Sequence, residues 1–216
     1  ARRLSLGAPL AGWHVARDRV AEFVSTLAMT TASLARVADE IRTLNRWEIA
    51  EVEVGWSDQQ IGSSTMPHKR NPEGCEQVVV MARLAKAQVM LALDAMVLEH
   101  ERDYRGTRLE WCAVADVSHY ALMALSLLTD TVAGLTVNDQ TMARNARRFG
   151  DAICMEGLVF EMARKLGKSS AYEIIFELTQ ACQRDRVSIR EAVEADPRVR
   201  AALEGGRLAQ LLEPSA

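Results

Sequence analysis

Helix breakers are missing from long stretches of this 216-residue sequence. No glycine or proline occurs from Trp13 to Val54, from Cys75 to Arg105 or from Thr107 to Ala133. Tight turns are therefore not expected inside these stretches. Cysteine is scarce as well: Cys75, Cys112, Cys154 and Cys182 are far apart, form no CxxC pair and have no histidine at ligand spacing. A disulfide framework and a zinc site are thereby excluded, and the four are expected as reduced core thiols. Charge of one sign is not in excess, with 26 Lys and Arg against 29 Asp and Glu. Nucleic acid is not an expected partner. No apolar run appears long enough to span a bilayer, and the first residues lack a signal peptide's apolar stretch. No membrane association is expected, and the expected location is cytoplasmic.

What the chain does have is helical periodicity. Val20, Val24, Leu27, Thr31, Leu34, Ala38 and Ile41 recur in alternating steps of four and three, the stripe of a bundle helix. The other two uninterrupted stretches, rich in Ala, Leu, Val and Met, predict two more long helices. No alternating strand pattern is convincing, so the expected fold class is all-α. After Gly134 the grain changes, with Gly150, Gly157, Gly167, Pro197 and Gly205-Gly206 punctuating short helical segments. These give an expected small helical domain over 149–216, following a long-helix domain over 1–148 that holds a polar loop at 56–72. Within the small domain Ser188-Ile189-Arg190-Glu191 has the spacing of a capping box and predicts a helix start. Three long helices cannot bury all their apolar faces on one another. A homo-oligomer and missing chain are both expected, the opening residues resembling a loop that enters a helix.

The run Gly62-Ser63-Ser64-Thr65-Met66-Pro67-His68-Lys69-Arg70-Asn71-Pro72 carries the chemistry. Glycine and two serines give a loop, and Asn71-Pro72 has the pattern of an N-cap followed by proline in the first helical turn. Backbone amides at that helix start, the Lys69 ammonium and the Asn71 amide suit a carboxylate or a developing oxyanion. A flexible linker with a solvated basic patch is the plainer reading of such a loop. The order of residues goes against it. The run resembles, position by position, the GSSxMPxKxNP signature of the fumarase/aspartase superfamily, whose branches include fumarase, aspartase, argininosuccinate lyase, adenylosuccinate lyase and 3-carboxy-cis,cis-muconate cycloisomerase. The similarity covers nearly the whole chain, from the helix ending EIRTLNRWEIAEVE to the short helices after Gly150. Its implications are a bundle of long helices, part of a twenty-helix core built by four subunits with shared active sites, and an N-terminal domain that this chain lacks.

Further implications of the resemblance concern the reaction. Ser63 would be the base that removes a proton beside a carboxylate, leaving an aci-carboxylate held by Lys69 and Asn71, with Ser64 and the amides of Thr65 and Met66 helping. A carbon–oxygen or carbon–nitrogen bond β to the carboxylate is then made or broken. Neither a cofactor nor a metal is implied. Glu76, one turn into the next helix, matches a glutamate that supports the site in adenylosuccinate lyases; by itself it is also an acid favoured by the helix dipole. His14 and Arg17 lie in a WHxxRDR-like run of the cycloisomerase branch, although a lone histidine at a helix start is more often structural. His100, in His100-Glu101-Arg102-Asp103, reads as part of an ion-pair network, and His119 as core.

Adenylosuccinate lyases follow HERD with serines and an arginine that grip a nucleotide. Here Trp111 holds the arginine position and Arg108 a serine position, while Glu110 is retained. Arg105 and Arg108 are expected to meet an extra carboxylate of a compact substrate. The leading expectation is a cycloisomerase-like enzyme acting on a small polycarboxylate, with adenylosuccinate lyase or another succinate-adduct lyase releasing fumarate as alternatives. A crystallin-like structural relative is the non-enzyme alternative. The joint presence of Ser63, Lys69 and Asn71 argues against it.

Overall fold

A computed structural model describes residues 7, 16–56, 66, 70–203 and 206–212, apart from the side chains of 149, 151 and 152. The chain divides into two compact units, Ala1–Asn138 and Asp139–Ala216. The division falls ten residues before the 148/149 boundary expected from glycine spacing. Residue 148 lies inside a helix, Asp139–Ile153, which begins directly after the last strand of the first unit.

The first unit is built on α1 (Asp18–Leu44), α2 (Glu73–Asp94) and α3 (Tyr104–Ala133). Ala21, Val24 and Ala28 of α1 pack with Ala85 and Ala92 of α2 and with Ala113 and Val117 of α3. Farther along, Ala38 and Ile41 meet Cys75, Val78, Ala124 and Leu128. The order of these contacts makes α1 and α3 parallel and α2 antiparallel to both. Buried positions on α2 are Cys75, Val78, Ala82, Ala85, Gln88 and Ala92, a three-and-four spacing that keeps one stripe on its partners. Small side chains on that stripe let the helices approach closely.

The first two helices are shorter than the glycine-free stretches, whereas α3 starts before Gly106 and runs through it. The expected first helix ends at Leu44 instead of running on toward Val54. Its C-cap is Asn45, whose side-chain oxygen accepts from Val54 N at 3.2 Å, and the turn is completed by Ala50 at φ 51°. A two-residue strand, β1 (Val52–Glu53), then pairs antiparallel with β2 (Thr136–Val137). Sequence reading anticipated no strand, because two residues are too few to alternate. A Cβ on Gly55 would stand 3.1 Å from Gly134 O, so a side chain there would push these two closely crossing segments apart by a few tenths of an ångström. Similarly, α2 stops at Asp94 instead of reaching Arg105. In the turn that follows, Leu98 packs so closely on α3 that a Cβ on Gly106 would meet its Cδ2 at 2.1 Å.

Asp103 caps α3, its side chain accepting from Arg105 N at 2.9 Å and Glu99 N at 3.2 Å. By length and composition α3 is also the one described helix long and apolar enough to cross a membrane, although scattered polar residues interrupt its apolar run. Its buried stripe, Ala113, Val117, Ala124 and Leu128, packs on α1 and α2.

In the second unit α4 (Asp139–Ile153), α5 (Met155–Leu166), α6 (Lys168–Asp185), α7 (Ile189–Ala195), α8 (Pro197–Ala202) and α9 (Arg207–Leu212) follow one another. Gly167, at φ 80°, turns α5 into α6. Leu158, Met162, Ile175, Val193, Val199 and Leu203 form the core. Ser188 accepts from Glu191 N at 3.4 Å and starts α7 where the capping box predicted. Asp196 caps α8 by accepting from Arg198 N at 2.7 Å and Val199 N at 3.3 Å.

Two core expectations are corrected. Cys75, Cys154 and Cys182 are buried, but Cys112 is exposed, one position off the stripe that buries Ala113. His119 is likewise exposed, lying two positions beyond buried Val117.

Candidate functional site

The candidate residues fall at opposite ends of the first unit. At one end a cleft of about 330 Å³ opens between the end of α1 and the start of α2. Arg42, Arg46 and Trp47 line it from the α1 side, and Met66, Arg70, Asn71 and Glu76 from the signature side. Of the signature run, Ser63, Ser64, Thr65 and Lys69 lie outside the described residues, as does His14.

Asn71 does not take the N-cap position that its place before proline suggested. Pro72 does, at ψ 62°, with no side-chain cap on α2. Asn71 O accepts from Glu73 N at 2.8 Å, and the residue lines both this cleft and a second one with Gly55, Cys75 and Thr131. The helix start keeps its polarity: Glu73 and Glu76 occupy the first turn, where negative charge is favoured.

Positive charge dominates the first cleft. Arg42 is tied to Asp39 at 2.9 Å, and Arg70 to Glu53 at 2.9 Å. Arg46 has no ion pair among the described residues. Glu76 is the one carboxylate in the described lining. An acid with several carboxylates would find compensating charge there, beside the apolar surface of Trp47, Met66 and Pro72. In the second cleft, burial pushes the Cys75 thiol above its ordinary value, against an opposing hydrogen bond with Thr131. It is therefore an inert thiol rather than a nucleophile.

The other end holds Arg17, Arg105 and Arg108, each in a different state. Arg17 is buried, 8% exposed, and its Nε donates to Glu110 Oε2 at 2.6 Å while Nη2 bonds the same oxygen. This pair joins the start of α1 to α3. Arg17, expected to meet substrate, thus has a guanidinium engaged by the protein itself. Arg105 is engaged too, with Asp103 at 2.6 Å and Glu99 at 3.2 Å. The guanidinium holds the Asp103 carboxyl well below the usual carboxylate range. His100, expected in this network, stays outside it, exposed at φ 57°.

Arg108 alone of the three has no ion pair among the described residues. Its guanidinium carbon lies 4.5 Å from the ring centre of Tyr104 and 4.4 Å from that of Trp111. The i−4 and i+3 spacing that brings the two rings to Arg108 is present in the sequence.

These ends are far apart. Thr131 lines a cleft together with Asn71, and Arg108 lies on the same helix as Thr131. The interval is about 35 Å at the α-helical rise. Asn71 and Arg108 of one chain cannot touch the same small molecule. Among the described residues no group of three or more His, Cys, Asp or Glu side chains could hold a metal ion.

A family model described as "Lyase" matches residues 9–91. The chain is 35% identical to an N-acetyl-S-(2-succino)cysteine lyase of Enterococcus italicus over 98% of its length and 47% of that protein. It is 36% identical to an adenylosuccinate lyase of Synechocystis over 93% of its length and 47% of the relative. Among solved structures, the 3-carboxy-cis,cis-muconate lactonizing enzyme from Pseudomonas putida superposes with a TM-score of 0.78 at 29% identity, over 99% of this chain and 47% of that one. The chain thus spans about half the length of the curated relatives it matches.

Proposed function

The chain belongs to the fumarase/aspartase superfamily, and from that premise we propose that the whole protein cleaves a small succinyl adduct by β-elimination and releases fumarate. The observation that carries this reading is the cleft of Arg42, Arg46, Arg70 and Asn71, which joins the signature run to cationic charge suited to a compact polycarboxylate. Two of the relatives named above act, by their names, on succinyl adducts.

In the proposed reaction Ser63 takes the proton from the carbon beside a carboxylate. The electron pair moves into that carboxylate, where Lys69 and Asn71 hold the resulting aci form. Collapse of the pair forms the carbon–carbon double bond and expels the leaving group from the neighbouring carbon. Positioned donors of this kind contribute about 3 kcal/mol each to such a transition state. Lys69 also favours the ionised form of a nearby serine, which a base of this kind requires.

The 35 Å between Asn71 and Arg108 supports a further part of the proposal: the site is assembled from several subunits of a homotetramer, each giving a different end of its bundle. Cycloisomerisation of a carboxymuconate is the second reading, favoured by Glu110-Trp111 and by the likeness to the lactonizing enzyme.

The test offers the full-length enzyme a succinyl-cysteine adduct, adenylosuccinate and 3-carboxy-cis,cis-muconate, following fumarate and lactone separately. Fumarate from the succinyl-cysteine adduct at the highest kcat/KM is expected. Lactone as the main product would replace this reading with the second, and preference for adenylosuccinate would overturn the compact-substrate assignment. Ser63→Ala is expected to lower kcat at least about a hundredfold with a smaller change in KM, since a base acts mainly in the transition state.

A further inference from the structure

Tyr104, Arg108 and Trp111 occupy positions i, i+4 and i+7 of α3, so all three share one face of the helix. All three are exposed. The guanidinium is sandwiched between the two rings, at 4.5 Å and 4.4 Å from their centres. Neighbouring arginines are spent otherwise, Arg17 on Glu110 and Arg105 on Asp103 and Glu99. Ring faces attract a cation but accept none of its in-plane N–H bonds, so a stacked guanidinium keeps its donor edge for an incoming anion. Stacking also removes rotamers that a free arginine would lose on binding.

We propose that Tyr104 and Trp111 are positioning residues that hold Arg108 as a two-pronged carboxylate receptor, taking a carboxylate of the substrate other than the one bound by the signature loop. The proposal rests on the reading of the protein as an enzyme of small polycarboxylates. It adds to that reading a specificity device in which two aromatic rings set the geometry of one cation. A planar carboxylate matches the paired donors of the edge.

The test uses full-length protein and two readouts. Calorimetric binding of fumarate, succinate and tricarballylate is measured without turnover, and KM and kcat are measured on the succinyl adduct. Arg108→Lys and Trp111→Leu are each expected to weaken carboxylate binding and raise KM about tenfold, with kcat within about twofold, because an unstacked or single-pronged cation loses ground-state binding. Trp111→Phe, which keeps a ring face, is expected to restore most of the affinity. Circular dichroism of each variant checks that α3 is intact.

Unchanged carboxylate affinity in Arg108→Lys overturns the receptor. A loss in Trp111→Leu that Trp111→Phe does not restore overturns the role of the ring. Lyase activity without any Arg108-dependent carboxylate binding sinks the receptor alone. Arg108-dependent carboxylate binding without lyase activity sinks the functional reading alone. Failure of the wild-type protein to bind any of the three acids sinks the receptor as well.

Discussion

The two units fill their interiors with side chains of different size. In the long-helix unit alanine supplies much of the interior, with Ala21, Ala28, Ala82, Ala85, Ala92 and Ala113 beside Val24, Val78 and Val117, while Met29, Met90 and Leu122 are 64%, 63% and 68% exposed. In the C-terminal unit the large residues Leu158, Met162 and Ile175 are inside. Alanine seams let helices approach but bury little area each. The C-terminal unit has a core of larger side chains, although Phe160, Tyr172 and Phe176 are exposed there too. We propose from this difference that association adds to the first unit's stability, whereas the second relies more on its own core.

The strongest way to break this comparison is to charge the exposed face. Full-length protein is expected to be a homotetramer by light scattering. Leu122→Glu combined with Leu125→Glu, both on exposed positions of α3, is expected to yield smaller species with activity lost altogether. A tetramer of normal activity would show that this face is ordinary surface.

How much of this was legible in the sequence depends on the distance over which each signal acts. Helix periodicity is local, and Val24, Thr31, Ala38 and Ile41 of the predicted stripe are buried. The capping box at Ser188 is local too, and so is the signature run, whose described members line one cleft. The ends of α1 and α2 were not legible. The turn after Leu44 uses Ala50 at φ 51°, with no glycine or proline to announce it, and is fixed by a strand partner more than eighty residues away in sequence. The Arg17–Glu110 pair also spans distant sequence, so nothing near Arg17 warned that its guanidinium was engaged. Arg108 is the intermediate case, since its partners lie within two turns but their meaning is geometric.

Core substitutions sharpen the comparison next. Leu158→Ala removes a fully buried side chain from the C-terminal unit and is expected to cost about 2–5 kcal/mol in denaturant unfolding. Ala85→Leu, at a fully buried seam position, is expected to cost about 1–3 kcal/mol by overpacking. The reverse response, in which the seam accepts leucine and the small unit tolerates alanine, would remove the distinction between a close-approach seam and a filled core. Thiol labelling gives a smaller contrast. Cys112 is expected to react first with an alkylating reagent, since burial raises the thiols of Cys75 and Cys182 and keeps them protonated.

The smallest effect expected is at Asp196, which tests whether the C-terminal unit depends on its caps as well as its core. The Asp196 carboxylate accepts from two backbone amides at the start of α8 and pairs with Arg198 at 2.9 Å, while Arg198 also reaches Glu177 on α6 at 2.7 Å. Arg198 is the main cause that holds the Asp196 carboxyl below its ordinary value, against an opposing push from burial. A carboxyl lowered on folding adds stability above its unfolded value. That contribution is lost as pH falls through the lowered folded value. The unit is therefore expected to hold its cap at neutrality and to lose it only below the ordinary aspartate range. Asp196→Ala is expected to cost about 1 kcal/mol at pH 7 and to flatten the acid limb of the stability–pH curve, as read by urea midpoints between pH 2 and pH 7. Asp196→Asn keeps an acceptor for the amides but removes the charge, so it should recover part of the neutral-pH stability and none of the pH dependence. An acid limb as steep in Asp196→Asn as in the wild type would place the titration elsewhere, and would leave the core alone as the source of the second unit's independence.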